Sequence, residues 1–123
     1  MIFDIHTHTF PDKIARSTLE KLQSMSHTAA FSDGTESGLS ASMASAGIGG
    51  SLVLPVATSA RQVLHVNDAS ARLNDRAGIT GLWSFGCMHP DFDDWKEELS
   101  RVAALGMKGV KLHPIYQGID FDD

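Results

Sequence analysis

Met1-Ile2-Phe3-Asp4-Ile5-His6-Thr7-His8 opens the chain, and its reading decides how the rest is organised. Phe3, Ile5 and Thr7 alternate with Asp4, His6 and His8, the period of a β-strand, so both imidazoles and the carboxylate share one face. Side chains two positions apart on a strand have Cα atoms roughly 6–7 Å apart, a gap one metal ion about 2 Å from each ring nitrogen can close. Thr9-Phe10-Pro11-Asp12 then takes the chain out of the strand. His6 and His8 therefore stand at its C-terminal end, where parallel sheets bind ligands. Asp4 sits one step deeper on the same face, placed to hold a histidine ring N–H and fix its tautomer.

Outward from this strand, apolar stripes alternate with apolar runs. Ile14, Thr18, Leu22 and Met25 predict a helix from Pro11 to about Met25, and a loop follows from His27 to Gly34. A second helix is predicted from Thr35 to Ala46 with Gly47 as its stop. Ser51 to Val56 is nearly all apolar, as in a strand buried on both faces. Thr58 or Ser59 then caps a helix to about Asp75, with Val63, Val66, Ala69 and Leu73 inward and Gly78 closing it. Ile79–Gly86 reads as a third strand. Asp91 or Asp93 caps a helix with the stripe Trp95, Leu99, Val102 and Leu105, stopped by Gly106. Gly109–His113 is a fourth strand, and Pro114 to Asp123 reads as a loop without helix. The order β-α-(α)-β-α-β-α-β is that of βαβ units around a parallel sheet, an α/β fold.

Four of the six histidines fall at predicted strand ends: His6 and His8 on the first, His89 after the third, His113 on the fourth. Convergent neutral imidazoles are what a divalent metal needs near neutral pH. Lys111 shares a strand face with His113 and is a candidate for fixing a substrate carboxylate, bridging metals or acting as a base. His89, Lys111 and His113 are thus pocket candidates, while His27 and His65 read as non-catalytic. Cys87 reads as a small buried hydrophobe. No GxSxG elbow, glycine-rich phosphate loop or HExxH is present.

The net charge of -5, with no basic run, argues against nucleic acid as a partner. No apolar run reaches the length of a membrane span, and the N-terminus lacks the pattern of a secretory signal. With Cys87 the single cysteine, a reducing cytoplasm is the expected location.

Together, Phe3-Asp4-Ile5-His6-Thr7-His8, Met43-Ala44-Ser45-Ala46-Gly47-Ile48, Phe85-Gly86-Cys87-Met88-His89-Pro90 and Gly106-Met107-Lys108-Gly109-Val110-Lys111-Leu112-His113-Pro114 resemble the amidohydrolase-2 group of the metal-dependent amidohydrolase superfamily. The resemblance runs the length of the chain. It implies a TIM-type (β/α)8 barrel with one or two divalent metals, often zinc. The implied function is a hydrolase that uses metal-activated water on a C–N or C–O bond of a small-molecule substrate. His6 and His8 match the family's first-strand metal ligands. Lys111 and His113 match a fourth-strand motif in or beside the pocket, and His89 matches a histidine that often follows the third strand.

The family also uses a histidine on the fifth strand and a catalytic aspartate on the eighth, and neither has a counterpart here. A complete barrel takes roughly 250 residues. Residues 1–123 are accordingly expected to be its N-terminal half, with the first four strands, inactive alone. An open sheet with one bare face predicts a homo-oligomer. The alternatives are a non-oxidative decarboxylase of the same superfamily and a non-catalytic oligomeric half-barrel.

Overall fold

The computed structural model describes residues 1–120. Strands β1 (Ile2–Thr7), β2 (Ile48–Val53) and β3 (Leu82–Ser84) form a parallel sheet in the order β1-β2-β3. Strands β4 (Gly86–Cys87) and β5 (Val110–Lys111) form a second parallel pair. Helices α1 (Asp12–Ser26) and α2 (Glu36–Ala46) connect β1 to β2. A 3₁₀ turn (Ala60–Gln62), helix α3 (Val63–Asp75) and the single turn α4 (Ala77–Thr80) connect β2 to β3. Helix α5 (Trp95–Ala104) lies between β4 and β5, and the short α6 (Pro114–Gln117) follows β5. The chain is therefore α/β, with parallel strands and helices between them.

The stretch predicted as one third strand, Ile79–Gly86, is divided. Ile79 lies in α4 and is exposed, and Gly81 at φ +71° turns the chain into β3. Phe85 N–H donates to Val53 O of β2 at 3.1 Å, whereas Gly86 N–H donates to Gly109 O beside β5 at 2.9 Å. Successive residues of a strand aim their backbone groups at opposite edges. The chain thus passes from one partner to the other at Phe85, and each edge loses its ladder where the other begins.

Two asparagines of α3 fill the gaps. Asn74 donates through Nδ2 to Ser84 O (2.9 Å) and accepts Ser84 N–H at Oδ1 (2.7 Å). One heptad earlier, Asn67 does the same for Cys87, with Nδ2 to Cys87 O at 3.1 Å and Cys87 N–H to Oδ1 at 2.7 Å. A side-chain amide carries the donor and acceptor of a peptide group, so each asparagine stands in for an absent strand.

Below these bonds the core is in two parts. Met43 of α2, Val53, Leu73 and Leu82 form one cluster, and Ala57, Val63, Cys87 and Met88 form the other. The helix faces match the predicted stripes only in part, with Val63, Leu73 and Val102 buried as expected. In α3 the buried positions are Val63, Asn67, Ser70 and Leu73, while Ala69 is exposed and Val66 half-buried. In α5, Trp95, Leu99 and Leu105 are exposed, and Glu98 and Val102 face inward.

The buried Glu98 accepts from Asn67 Nδ2 (2.7 Å) and from Arg101 Nε (2.8 Å), and Arg101 Nη1 reaches Asp68 at 2.6 Å. Burial pushes the Glu98 carboxyl up, but the hydrogen bonds from Arg101 and Asn67 outweigh it and hold the group below the usual range. Saturating a buried acid in this way lets α5 bury Glu98 beside Val102 of its apolar stripe.

Other element ends also differ. Helix α3 stops at Asp75 and Gly81, not Gly78, carries the left-handed turn after α4. Asp94 stands at the N-cap of α5 without a side-chain bond, so neither Asp91 nor Asp93 caps it. The fourth strand is only Val110–Lys111, and Pro114–Gln117 forms a helical turn where a loop was expected. The last residues of that expected loop, 121–123, lie outside the described residues.

One face of the three-stranded sheet leaves large apolar side chains exposed among the described residues. A Cβ on Gly50 would lie 2.6 Å from the Phe3 ring, so glycine there lets Phe3 and Trp83 lie on the sheet with ring centroids 5.4 Å apart. Both rings remain 40% exposed, and Ile5 of β1 is exposed as well.

Replacing Asn67 leaves the Cys87 peptide and Glu98 without their buried partner. Asn67→Ala is expected to lower stability by roughly 3 kcal/mol in urea denaturation, far more than exposed neighbours such as Arg72→Ala. Equal midpoints for the two variants contradict this role.

Candidate metal and ligand site

β1 reaches its functional end through Thr7, the buried residue between the two histidines. Thr7 Oγ1 donates to Leu52 O (2.8 Å), and Thr7 O accepts Leu54 N–H (2.8 Å). These bonds tie the strand end to the exit of β2 and leave the flanking imidazoles outside the sheet. The His6 and His8 rings then meet edge to face, with centroids 5.1 Å apart and planes at 70°.

His8 Nδ1 lies 2.7 Å from Leu54 O. A carbonyl oxygen only accepts, so Nδ1 carries the proton and the neutral ring keeps its lone pair on Nε2. Burial lowers the His8 pKa below its usual 6.5, the Leu54 bond opposes this, and the charges of His6, Lys111 and His113 lower it further. An imidazole fixed by a carbonyl at one nitrogen and neutral at the other is the form in which histidine binds metals.

Asp4 has a different partner from the one predicted. Its Oδ1 accepts the backbone N–H of His6 at 3.0 Å, not a ring N–H. The bond falls where the register of β1 against β2 is irregular, between Asp4 and Thr7. The carboxylate supplies an acceptor there that the ladder does not.

Lys111 and His113 come to the same side as the histidine pair, close enough for their charges to act on His8. The His113 ring stacks on Tyr116 at 3.9 Å and 16°, and its buried Nδ1 has no well-aligned hydrogen bond, only its own carbonyl nearby. Burial, then Lys111 and His6, lower the His113 pKa as well. His89 stands apart. It is buried in the turn after β4, where Nδ1 accepts Asp91 N–H (3.2 Å) and lies 3.8 Å from Asp91 Oδ2. Cys87 is fully buried, and its thiol is pushed up to about 12 by that burial, which suits a core residue and not a metal ligand.

Gln117 is a site residue that sequence reasoning missed. Its Oε1 accepts His113 N–H (2.9 Å), and its Nε2 donates to Ala57 O (2.9 Å) and Met88 O (2.6 Å). One side chain of α6 thereby fastens the segments that leave β2, β4 and β5. Pro114 at the start of a helical turn was the available signal for α6, but nothing local announces the long-range bonds.

A metal ion finds part of a donor set here. His6 and the Nε2 lone pair of His8 fit, and Lys111 and His113 lie beside them. Among the described residues no three His, Cys, Asp or Glu side chains converge in a group that could hold a metal. Comparison with protein-family models, with curated proteins and with solved structures finds no match.

The lowered pKa values have a stability consequence. An unfolded chain takes up protons at these histidines from about pH 6.5 downwards, before the folded one does. Stability is therefore expected to be level above that pH and to fall below it, until the folded-state histidines titrate too. Ring-resonance NMR should place the midpoints of His8 and His113 below 6.5, the usual value for the group. A midpoint for His8 above it would contradict the neutral, Leu54-bound tautomer.

Proposed function

We propose that this chain supplies the first half of a metal-dependent hydrolase barrel of the amidohydrolase-2 kind, with His6 and His8 as ligands of a divalent metal, zinc above all. The observation that carries the reading is the 2.7 Å bond from His8 Nδ1 to Leu54 O, which leaves Nε2 unprotonated beside the His6 ring. In a chance surface pair, nothing would fix the tautomer. Zinc, when bound, would supply Lewis acidity toward a substrate carbonyl and lower the pKa of water in its open position.

The chain's own residues have separable tasks under this reading. Leu54 O and the Thr7 bonds hold the ligand end of β1 rigid. Lys111 brings positive charge to the side of the pair and suits an anionic group on a small-molecule substrate. His113, stacked on Tyr116 and tied down by Gln117, would line that site. His89 shapes the turn after β4. Asp4 supports the backbone beneath His6.

The bare sheet face supports the half-barrel reading. Parallel sheets are ordinarily covered on both faces, and Phe3 and Trp83 are exposed. Further strands of the barrel, or another copy of the chain, would cover them. The same scaffold serves non-oxidative decarboxylation, and release of carbon dioxide from an aromatic acid by the whole protein would identify that reaction. A single buried cysteine suits a reducing cytoplasm.

Calorimetric titration with zinc is the direct test. The chain should bind one ion weakly, and His6→Ala or His8→Ala should each weaken binding by about tenfold or more. Unchanged affinity in both variants rejects the assignment. The chain by itself should show no appreciable amide or ester hydrolysis. Turnover abolished by His6→Ala would show that two histidines and their neighbours suffice.

A further inference from the structure

Helix α6 contributes no buried residue and belongs to neither core cluster, and its Ile115 is 67% exposed. Apolar packing therefore does not explain why the turn stays where it is. Its hydrogen bonds do. His113 is the N-cap residue, and its backbone N–H donates to Gln117 Oε1 at 2.9 Å, as the returning side chain of a capping box accepts. The amide nitrogen of the same side chain reaches the other way, to Ala57 O at 2.9 Å and Met88 O at 2.6 Å.

Ala57 and Met88 are members of the second core cluster. Gln117 thus ties an element outside the core to two residues inside it. Both hydrogens of its amide are used, and its oxygen as well. An ionised glutamate has the same length but only accepts, and it would set a negative charge against two carbonyl oxygens.

The turn is otherwise self-contained. Gln117 N–H donates to His113 O at 3.0 Å, and Gly118 and Ile119 N–H both donate to Pro114 O, at 2.7 and 3.1 Å. The His113 ring stacks on Tyr116 within the same turn. Units with few buried apolar contacts are those that open without global unfolding. When the Gln117 amide lets go, water can take its place at the two carbonyls, while both core clusters and the Asn67 and Asn74 bonds remain. The part displaced includes His113, which lies close enough to the β1 pair for its charge to act on His8.

We propose that α6 is a strap beside the strand-end site and that the Gln117 amide is its latch. Closed, the latch holds His113 next to His6 and His8. Released, it opens that side of the site while the sheet stays folded. The ligand role of the site is taken from the reading above, but the latch does not depend on it.

Amide hydrogen exchange of the metal-free chain, followed by NMR, tests the proposal. The N–H groups of Gly118 and Ile119 should exchange by local opening, faster than those of Phe85 and Cys87 in the sheet and with little dependence on urea. Gln117→Glu and the uncharged Gln117→Met should each speed exchange at Gly118 and Ile119 by about tenfold or more and leave Cys87 unchanged. His113 should also react severalfold faster with diethyl pyrocarbonate in both variants. The proposal is overturned if Gly118 and Ile119 exchange only together with Cys87, if both variants leave their exchange or the reactivity of His113 unchanged, or if both variants lose protection at Cys87 as well, since α6 would then be part of the cooperative fold. None of these readouts involves zinc, so a failure to bind zinc rejects the metal assignment alone.

Discussion

The amide side chains of Asn67 and Asn74 hold this fold at its weakest seam. A parallel sheet that changes partner in mid-strand leaves peptide groups unbonded on both edges, and buried unbonded peptides cost more than a small domain can absorb. Asn74 satisfies Ser84 and Asn67 satisfies Cys87, one on each side of Phe85. Because the two asparagines are seven residues apart on α3, both face the same strand. The helix is thereby locked in register with β3 and β4, and the rest follows. Asn67 also binds Glu98, Glu98 binds Arg101, and α5 takes its orientation from that chain of bonds.

The strand ends are organised by a second set of polar fasteners. Thr7 ties β1 to β2, His8 binds Leu54 O, and Gln117 joins the segments after β2, β4 and β5. Each uses a backbone carbonyl left over where a ladder stops. The histidine pair, Lys111 and His113 stand on this frame. The frame also sets their electrostatics, since burial and the neighbouring Lys111 and His6 lower the pKa of both His8 and His113. The proposed ligand role follows from how the ends of the strands are closed as much as from the histidines themselves.

Two regions are apolar without being packed, and they differ in kind. Phe3 and Trp83 lie on a flat, open sheet face, the kind of surface a further layer of protein covers. The space beneath α1 is a concave cleft between α1 and α3 that opens to solvent.

Much of the architecture is legible in the order of residues. Alternation in Phe3–His8, the apolar run before Pro55, the helix start near Thr35 and the turn at Gly47 depend on local backbone preference and periodicity, so helices and parallel strands can be read from them. The pairing of His6 with His8 belongs to the same class, since two positions on one strand are neighbours in any fold. Only the tertiary structure decides the rest. Glu98 faces inward because Asn67 and Arg101 are there to receive it, against the apolar stripe of its own helix. Asp4 turns to a backbone N–H because the register slips beside it, and His89 is drawn to Asp91 instead of to the other histidines. The division at Phe85, the reach of Gln117 and the hollow under α1 all depend on groups distant in the chain. Periodicity records which side of an element is apolar. It does not record which unsatisfied peptide, carboxylate or void that side will meet.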